Sequence, residues 1–137
     1  MLILIVGAGR VGSAIASWGL DQGHEVSVLD DDPLSLERLG SETRTWEDLG
    51  GTFTIGTALE ADALIEAGIE RADVFIASTD GDNTNLVIAQ LAQRRFEVPK
   101  VLVRVMDPHR AAWYEQQGMQ TICPTKHAIE LFQEALA

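Results

Sequence analysis

Gly7, Gly9 and Gly12 fall at G-x-G-x-x-G spacing directly after the apolar run Leu2 to Val6. Such spacing suits a phosphate-cradling turn when a strand leads in and a helix leads out. Gly7 permits the tight turn, Gly9 lets a pyrophosphate approach the backbone, and Gly12 lets helix and strand close up. Arg10 and Val11 open the helix, whose first amides lack partners and attract anions. The Arg10 guanidinium can reach a phosphate oxygen. About 20 residues on, Asp30 ends a second apolar run, where an acid can accept both hydroxyls of an unphosphorylated ribose. Asp31 is read as solvated but within reach of that ribose. Asp32, before Pro33, is read as a helix cap. The spacing alone also admits a glycine-rich turn that holds nothing.

The opposite edge of such a cleft is Ala77-Ser78-Thr79-Asp80, leaving the fourth apolar run. Ser78 and Thr79 can hydrogen-bond phosphates or ribose there. Asp80 and Asp82 either line the cleft or cap the next helix. Arg104 sits in an otherwise apolar strand and needs a carboxylate or a phosphate as its partner. Other chemistry finds little support. His24, His109 and His127 are scattered, no Ser-His-Asp or Cys-His set can be argued, and no spacing suggests a metal. The single cysteine, Cys123, excludes an intramolecular disulfide.

These residues need a scaffold, and the patterning supplies one. Apolar runs at Leu2 to Val6, Glu25 to Asp30, Gly51 to Ile55, Asp73 to Ala77, Lys100 to Val105 and Gln120 to Ile122 alternate with helical stretches. Val11, Ala14, Ile15 and Trp18 form one helical stripe, expected to face the core. Ala61, Leu64 and Ile65 repeat it after a capping box at Thr57 and Glu60. Val87, Ile88, Leu91 and Ala92 form another buried face. Asp107-Pro108 starts a further helix and Gly118 ends it. Gly23 stops the first. Strands this apolar belong to a parallel sheet covered on both faces. Right-handed crossovers then point to an α/β, doubly wound, six-stranded sheet in the order 3-2-1-4-5-6. The stretch Asp31 to Gly50 is least regular, a short helix followed by a polar segment around Trp46.

The chain of 137 residues reads as a single domain. A net charge of -11 argues against nucleic acid or an anionic membrane surface as a partner. The opening run has no basic flank, and no stretch approaches the ~20 apolar residues of a membrane span. The default expectation is therefore a cytoplasmic protein, possible attachment to a membrane being through a partner.

Four stretches carry a family resemblance: MLILIVGAGRVGSAIA, VSVLDDDP, ALEADALIEAGIERADVFIASTDGDNTNLVIAQLAQ and VPKVLVRVMDP. Over residues 1 to 125 the chain resembles the RCK-type, Trk/Ktr-like nucleotide-binding domain of potassium channels and transporters. The resemblance implies a Rossmann-like domain binding NAD(H) or ATP/ADP, whose ligand state alters a dimer or ring and thereby a membrane-embedded potassium pore. In those terms Gly7, Gly9, Arg10 and Gly12 hold phosphates, Asp30 takes the ribose, and Ser78 and Thr79 line the opposite lip. Arg104 lies near the phosphate end or a subunit interface. The family often carries Gly-Asp-Ala-Thr after the third strand. Here Gly56-Thr57-Ala58-Leu59 stands in its place, so Thr57 and Ala58 border the adenine without that acid. Ile129, Phe132 and Leu136 make residues 124-137 an amphipathic terminal helix. In the family it tends to cross to a neighbouring subunit, which implies a homo-oligomer. The competing reading is an NAD-dependent oxidoreductase, which would need a substrate wall and an acid or base.

Overall fold

The computed structural model describes residues 1–137 throughout. In chain order it comprises β1 (Leu2–Val6), α1 (Arg10–Asp21), β2 (Glu25–Asp30), a 3-10 turn at Pro33–Arg38 and β3 (Thr52–Ile55). It continues through α2 (Ala61–Glu66), β4 (Val74–Ala77), α3 (Asp82–Gln90), β5 (Lys100–Arg104), α4 (Pro108–Gln116), β6 (Gln120–Ile122) and α5 (Pro124–Leu136). The six strands form one parallel sheet in the order β3-β2-β1-β4-β5-β6, as the alternation of apolar runs predicts. The order reverses between β1 and β4, so their C-terminal ends part there and leave a crevice.

The faces of the sheet are packed differently. Leu2, Leu4 and Val6 join Phe75, Val101 and Val103 in a large cluster beneath α2, α3 and α4. Ile3, Ile5, Val26, Val28 and Val74 form a smaller one with Ala16 of α1, Leu39 and Trp46. Trp46 is almost wholly buried and donates its indole N–H to the Thr52 carbonyl at 2.9 Å, anchoring the polar segment to β3. On the other face Tyr114 is buried among the α4 contacts, and burial pushes its hydroxyl above the ordinary value of 10.0.

The expected face of α1 is reversed. Val11, Ile15 and Trp18 are 47%, 36% and 55% exposed, while Gly12, Ala16 and Gly19 are buried. The reason is the close approach of helix and sheet. A Cβ on Gly19 would sit 2.9 Å from Val26 Cγ2, so only small residues fit at these positions. Large apolar side chains are displaced to the outer side. Val87 and Ile65 are likewise exposed rather than core-facing. The capping box at Thr57 does not form. Thr57 Oγ1 instead accepts from the Leu59 amide, and α2 starts later, at Ala61.

Strand ends differ by a residue or so from the sequence reading. Asp73 lies before β4 rather than in it, its carboxylate accepting the Leu2 amide at 2.7 Å. Asp32 and Asp107 cap as expected, accepting from Leu34 and His109 respectively. Gly23 and Gly118 end their helices with φ of +85°. The terminal helix α5 forms as predicted but carries no buried residue, so it does not fold back on its own sheet.

Candidate functional site

At the C-terminal edge of the sheet, where β1 and β4 diverge, lies an open cavity of about 730 Å³. Its lining includes Gly7, Ala8, Gly9 and Arg10 on one side and Ser78, Thr79 and Asp80 on the other. Asp30, Asp31 and Asp32 close the β2 end, with Gly56, Thr57 and Ala58 beyond them. The structure thus brings together most of the residues singled out from sequence. Val11, Gly12 and Arg104 stand outside the lining.

The glycine turn is built by backbone constraints. Gly7 has a φ of +99°, in the left-handed region that favours glycine. A Cβ there would also lie 2.7 Å from the Ser78 carbonyl oxygen across the crevice. Gly12 is held by contact rather than by φ: a Cβ would fall 1.8 Å from the Gly7 carbonyl oxygen. Gly9 has open space where its side chain would be, the room a bound phosphate requires. It is also the N-cap of α1, and no side chain caps that helix. The first-turn amides, Val11's among them, are consequently free of side-chain partners and lie beside Arg10. Val11 would act through its amide, since its side chain points outward.

Asp30 is locked in place. Its Oδ2 accepts the Ala8 amide at 2.7 Å and its Oδ1 accepts the Asp32 amide at 2.9 Å. A carboxylate has about four lone-pair sites, so capacity for two ribose hydroxyls remains. Asp31 is exposed at the rim, as expected.

The opposite lip uses its polar groups internally. Ser78 is buried, and its hydroxyl lies 3.0 Å from the Val6 carbonyl and 3.1 Å from that of Gly7. It therefore holds β4 to the glycine turn. Thr79 donates its hydroxyl to Asn85 Oδ1 at 2.6 Å, and the same oxygen accepts the Thr79 amide at 3.0 Å. Asn85 Nδ2 donates to the carbonyls of Thr79 and Arg104, both at 3.0 Å. Fully buried and fully paired, Asn85 ties the ends of β4 and β5 together. Arg104, whose side chain is only 17% exposed, finds a carboxylate rather than an open cleft. Its Nη2 donates to the Thr79 carbonyl at 2.9 Å and reaches Asp80 Oδ1 at 3.3 Å. Asp82 neither lines the cavity nor caps α3. Its carboxylate accepts the amides of Met106 and Asp107, closing the turn after β5.

Two residues were not evident from sequence. Asn85 looks like any polar residue of an amphipathic helix, and only its burial gives it meaning. Arg38 also lines the cavity, at the end of the 3-10 turn, with Nη1 donating to Ser35 Oγ at 3.1 Å. The one available signal was the i, i+3 spacing of Ser35 and Arg38, which a 3-10 turn places on one side.

Residues 3–124 match the family model of the TrkA-N domain. The Trk system potassium uptake protein TrkA of Streptomyces coelicolor is 43% identical over 126 residues, covering 92% of this chain and 54% of that protein. The chain spans about half the length of the curated relatives it first matches. Among solved structures, the Kef C-terminal domain of Shewanella denitrificans in its AMP-bound form superposes with a TM-score of 0.79 at 26% identity. That likeness covers 99% of this chain and 80% of the other. The GsuK channel bound to NAD shares the fold at a TM-score of 0.79 and 20% identity, over 98% of this chain and 23% of that one.

Proposed function

The chain belongs to the TrkA-N, RCK-type domain family, and on that premise we propose that it is a nucleotide-sensing regulatory module of a potassium transport system. Its ligand is an adenine nucleotide, NAD(H) or ATP/ADP. The phosphates lie over Gly7, Gly9, Arg10, Val11 and Gly12, and the ribose faces Asp30. Asp31, Thr57 and Ala58 border the base, while Thr79 and Asp80 form the far wall. Ser78 and Arg104 serve the site by shaping that wall. The observation that carries this reading is the glycine turn, with an uncapped helix start and open space at Gly9, facing a carboxylate fixed by two amides. The AMP-bound relative adds support for the ligand class.

The module binds its ligand without consuming it, and acts by population shift: each ligand favours one arrangement of an oligomer, which a membrane-embedded partner senses. The domain works at the cytoplasmic side of that partner, as a homo-oligomer. Ile129, Phe132 and Leu136 of α5 are exposed and offer the interface, although no helix here is long and apolar enough to cross a membrane.

Calorimetric titration with NAD(H), ADP and ATP, paired with solution scattering with and without ligand, tests both parts. Saturable binding that changes oligomer geometry is the expected result. Arg10→Ala should weaken ADP roughly tenfold, by loss of a charge-assisted contact, and leave adenosine nearly unchanged. An equal loss for adenosine would assign Arg10 to the turn's shape. Failure of every adenine nucleotide to bind would refute the proposal.

A further inference from the structure

We propose that Arg38 is a specificity-determining residue of the cleft, positioned to receive a phosphate on the adenosine ribose and so to offset the repulsion that Asp30 exerts there. The inference rests on the nucleotide-binding reading above and concerns which adenine nucleotides the cleft admits.

Arg38 and Asp30 flank the same residue. Asp30 Oδ2 accepts the Ala8 amide at 2.7 Å, and Arg38 Nη1 points at the Ala8 carbonyl at 3.4 Å. Both side chains line the cavity, so both face the ribose end of any nucleotide whose phosphates lie over Gly9. Ser35 steers the guanidinium. It is buried one 3-10 turn earlier and accepts from the same nitrogen at 3.1 Å.

The guanidinium charge is also unpaired. Asp30, Asp31 and Asp32 line the same cavity, yet the ion pairs of the chain are Arg71–Glu25 and Arg104–Asp80. Asp30 is held by backbone amides instead. Because Ser35 and Ala8 share one guanidinium nitrogen, the remaining N–H groups keep a planar fork that suits a phosphate. In dinucleotide folds an acid at this point favours a bare ribose, and a nearby arginine accommodates a 2′-phosphate. This cleft carries both. Asp30 sets a preference for the unphosphorylated ribose, and Arg38 narrows that preference.

The test is calorimetric titration of the full chain with ADP and with its 2′-phosphorylated counterpart, adenosine 2′-phosphate 5′-diphosphate, for wild type, Arg38→Gln and Arg38→Lys. Wild type should prefer ADP by less than roughly tenfold. Arg38→Gln should widen that gap about tenfold through loss of a charge-assisted contact, with ADP itself within about twofold of wild type. Arg38→Lys should retain much of the wild-type ratio, since it keeps the charge. Melting temperatures of the three proteins check that the fold is intact. An unchanged gap in Arg38→Gln, with ADP binding preserved, overturns the role of Arg38 and leaves the nucleotide reading standing. Equal weakening of both ligands overturns it too, making Arg38 a brace for the Ala8 turn. If wild type binds neither compound, the nucleotide reading falls and this inference falls with it.

Discussion

The two lips of the cleft are made of similar polar material used in opposite ways. On the β1 lip the working groups are backbone amides, exposed because glycines leave room and no side chain caps α1. On the β4 lip they are side chains, and nearly every one is turned inward. Ser78 bonds the Val6 and Gly7 carbonyls, Thr79 bonds Asn85, and Arg104 bonds Thr79 and Asp80. The first lip leaves its donors open and the second spends its polar groups on bracing. A serine and a threonine beside a phosphate-sized space are therefore no proof of ligand contact; where their hydrogen bonds already go decides the matter.

The most severe way to break this contrast is at the joint between helix and turn. Gly12→Ala forces a Cβ against the Gly7 carbonyl oxygen, at 1.8 Å before any relaxation. The turn or α1 must move, at about 3 kcal/mol or more. Urea unfolding should show that loss together with abolished nucleotide binding. A stable Gly12→Ala variant that still binds would mean the approach is looser than described.

A smaller loss is expected at the centre of the bracing lip. Asn85→Ala strands the Thr79 amide and removes donors from the Thr79 and Arg104 carbonyls. Unpaired buried groups of this kind cost about 2 kcal/mol, below the loss at Gly12, because the Thr79 carbonyl keeps Arg104 Nη2 as a donor. The melting temperature should fall clearly. A drop in affinity without a drop in stability would instead move Asn85 from brace to ligand contact.

Ser78→Ala should have the mildest effect, about 1 kcal/mol, because the Val6 carbonyl keeps the Ser78 amide as a donor at 2.9 Å. Affinity for ADP should change less than about twofold, as expected for a hydroxyl that faces away from the ligand. A tenfold affinity loss at unchanged stability would show that the hydroxyl rotates to the ligand, and would dissolve the distinction between the lips.

The sheet was legible because strand order follows from local patterning and the handedness of crossovers, both carried by runs such as Leu2–Val6 and Lys100–Arg104. The glycine turn and Asp30 were legible for a related reason: backbone shape dictates residue type there. The inward turn of Ser78 and Thr79 was hidden, since it depends on the Val6 and Gly7 carbonyls in one case and on the buried Asn85 in the other, partners that no spacing reveals. Arg38 was hidden because the stretch after β2 offers only one short turn and a single i, i+3 pair, Ser35 and Arg38, too little to mark a side chain as facing the cleft. The face of α1 was misread because apolar periodicity normally marks the core. Here the small residues Gly12, Ala16 and Gly19 mark it instead, and the larger side chains are excluded by proximity to the sheet.

Trp46 gives the molecule an optical label of its own. The indole lies flat over Gly51, where a Cβ would come within 2.0 Å of the ring, and it is sealed from solvent while Trp18 and Trp113 are exposed. Its fluorescence should therefore lie to the blue of theirs and resist iodide or acrylamide. Quenching the two outer indoles would leave a single emitter anchored at the foot of β3, the strand that leads to Gly56 and Thr57 at the cleft's edge.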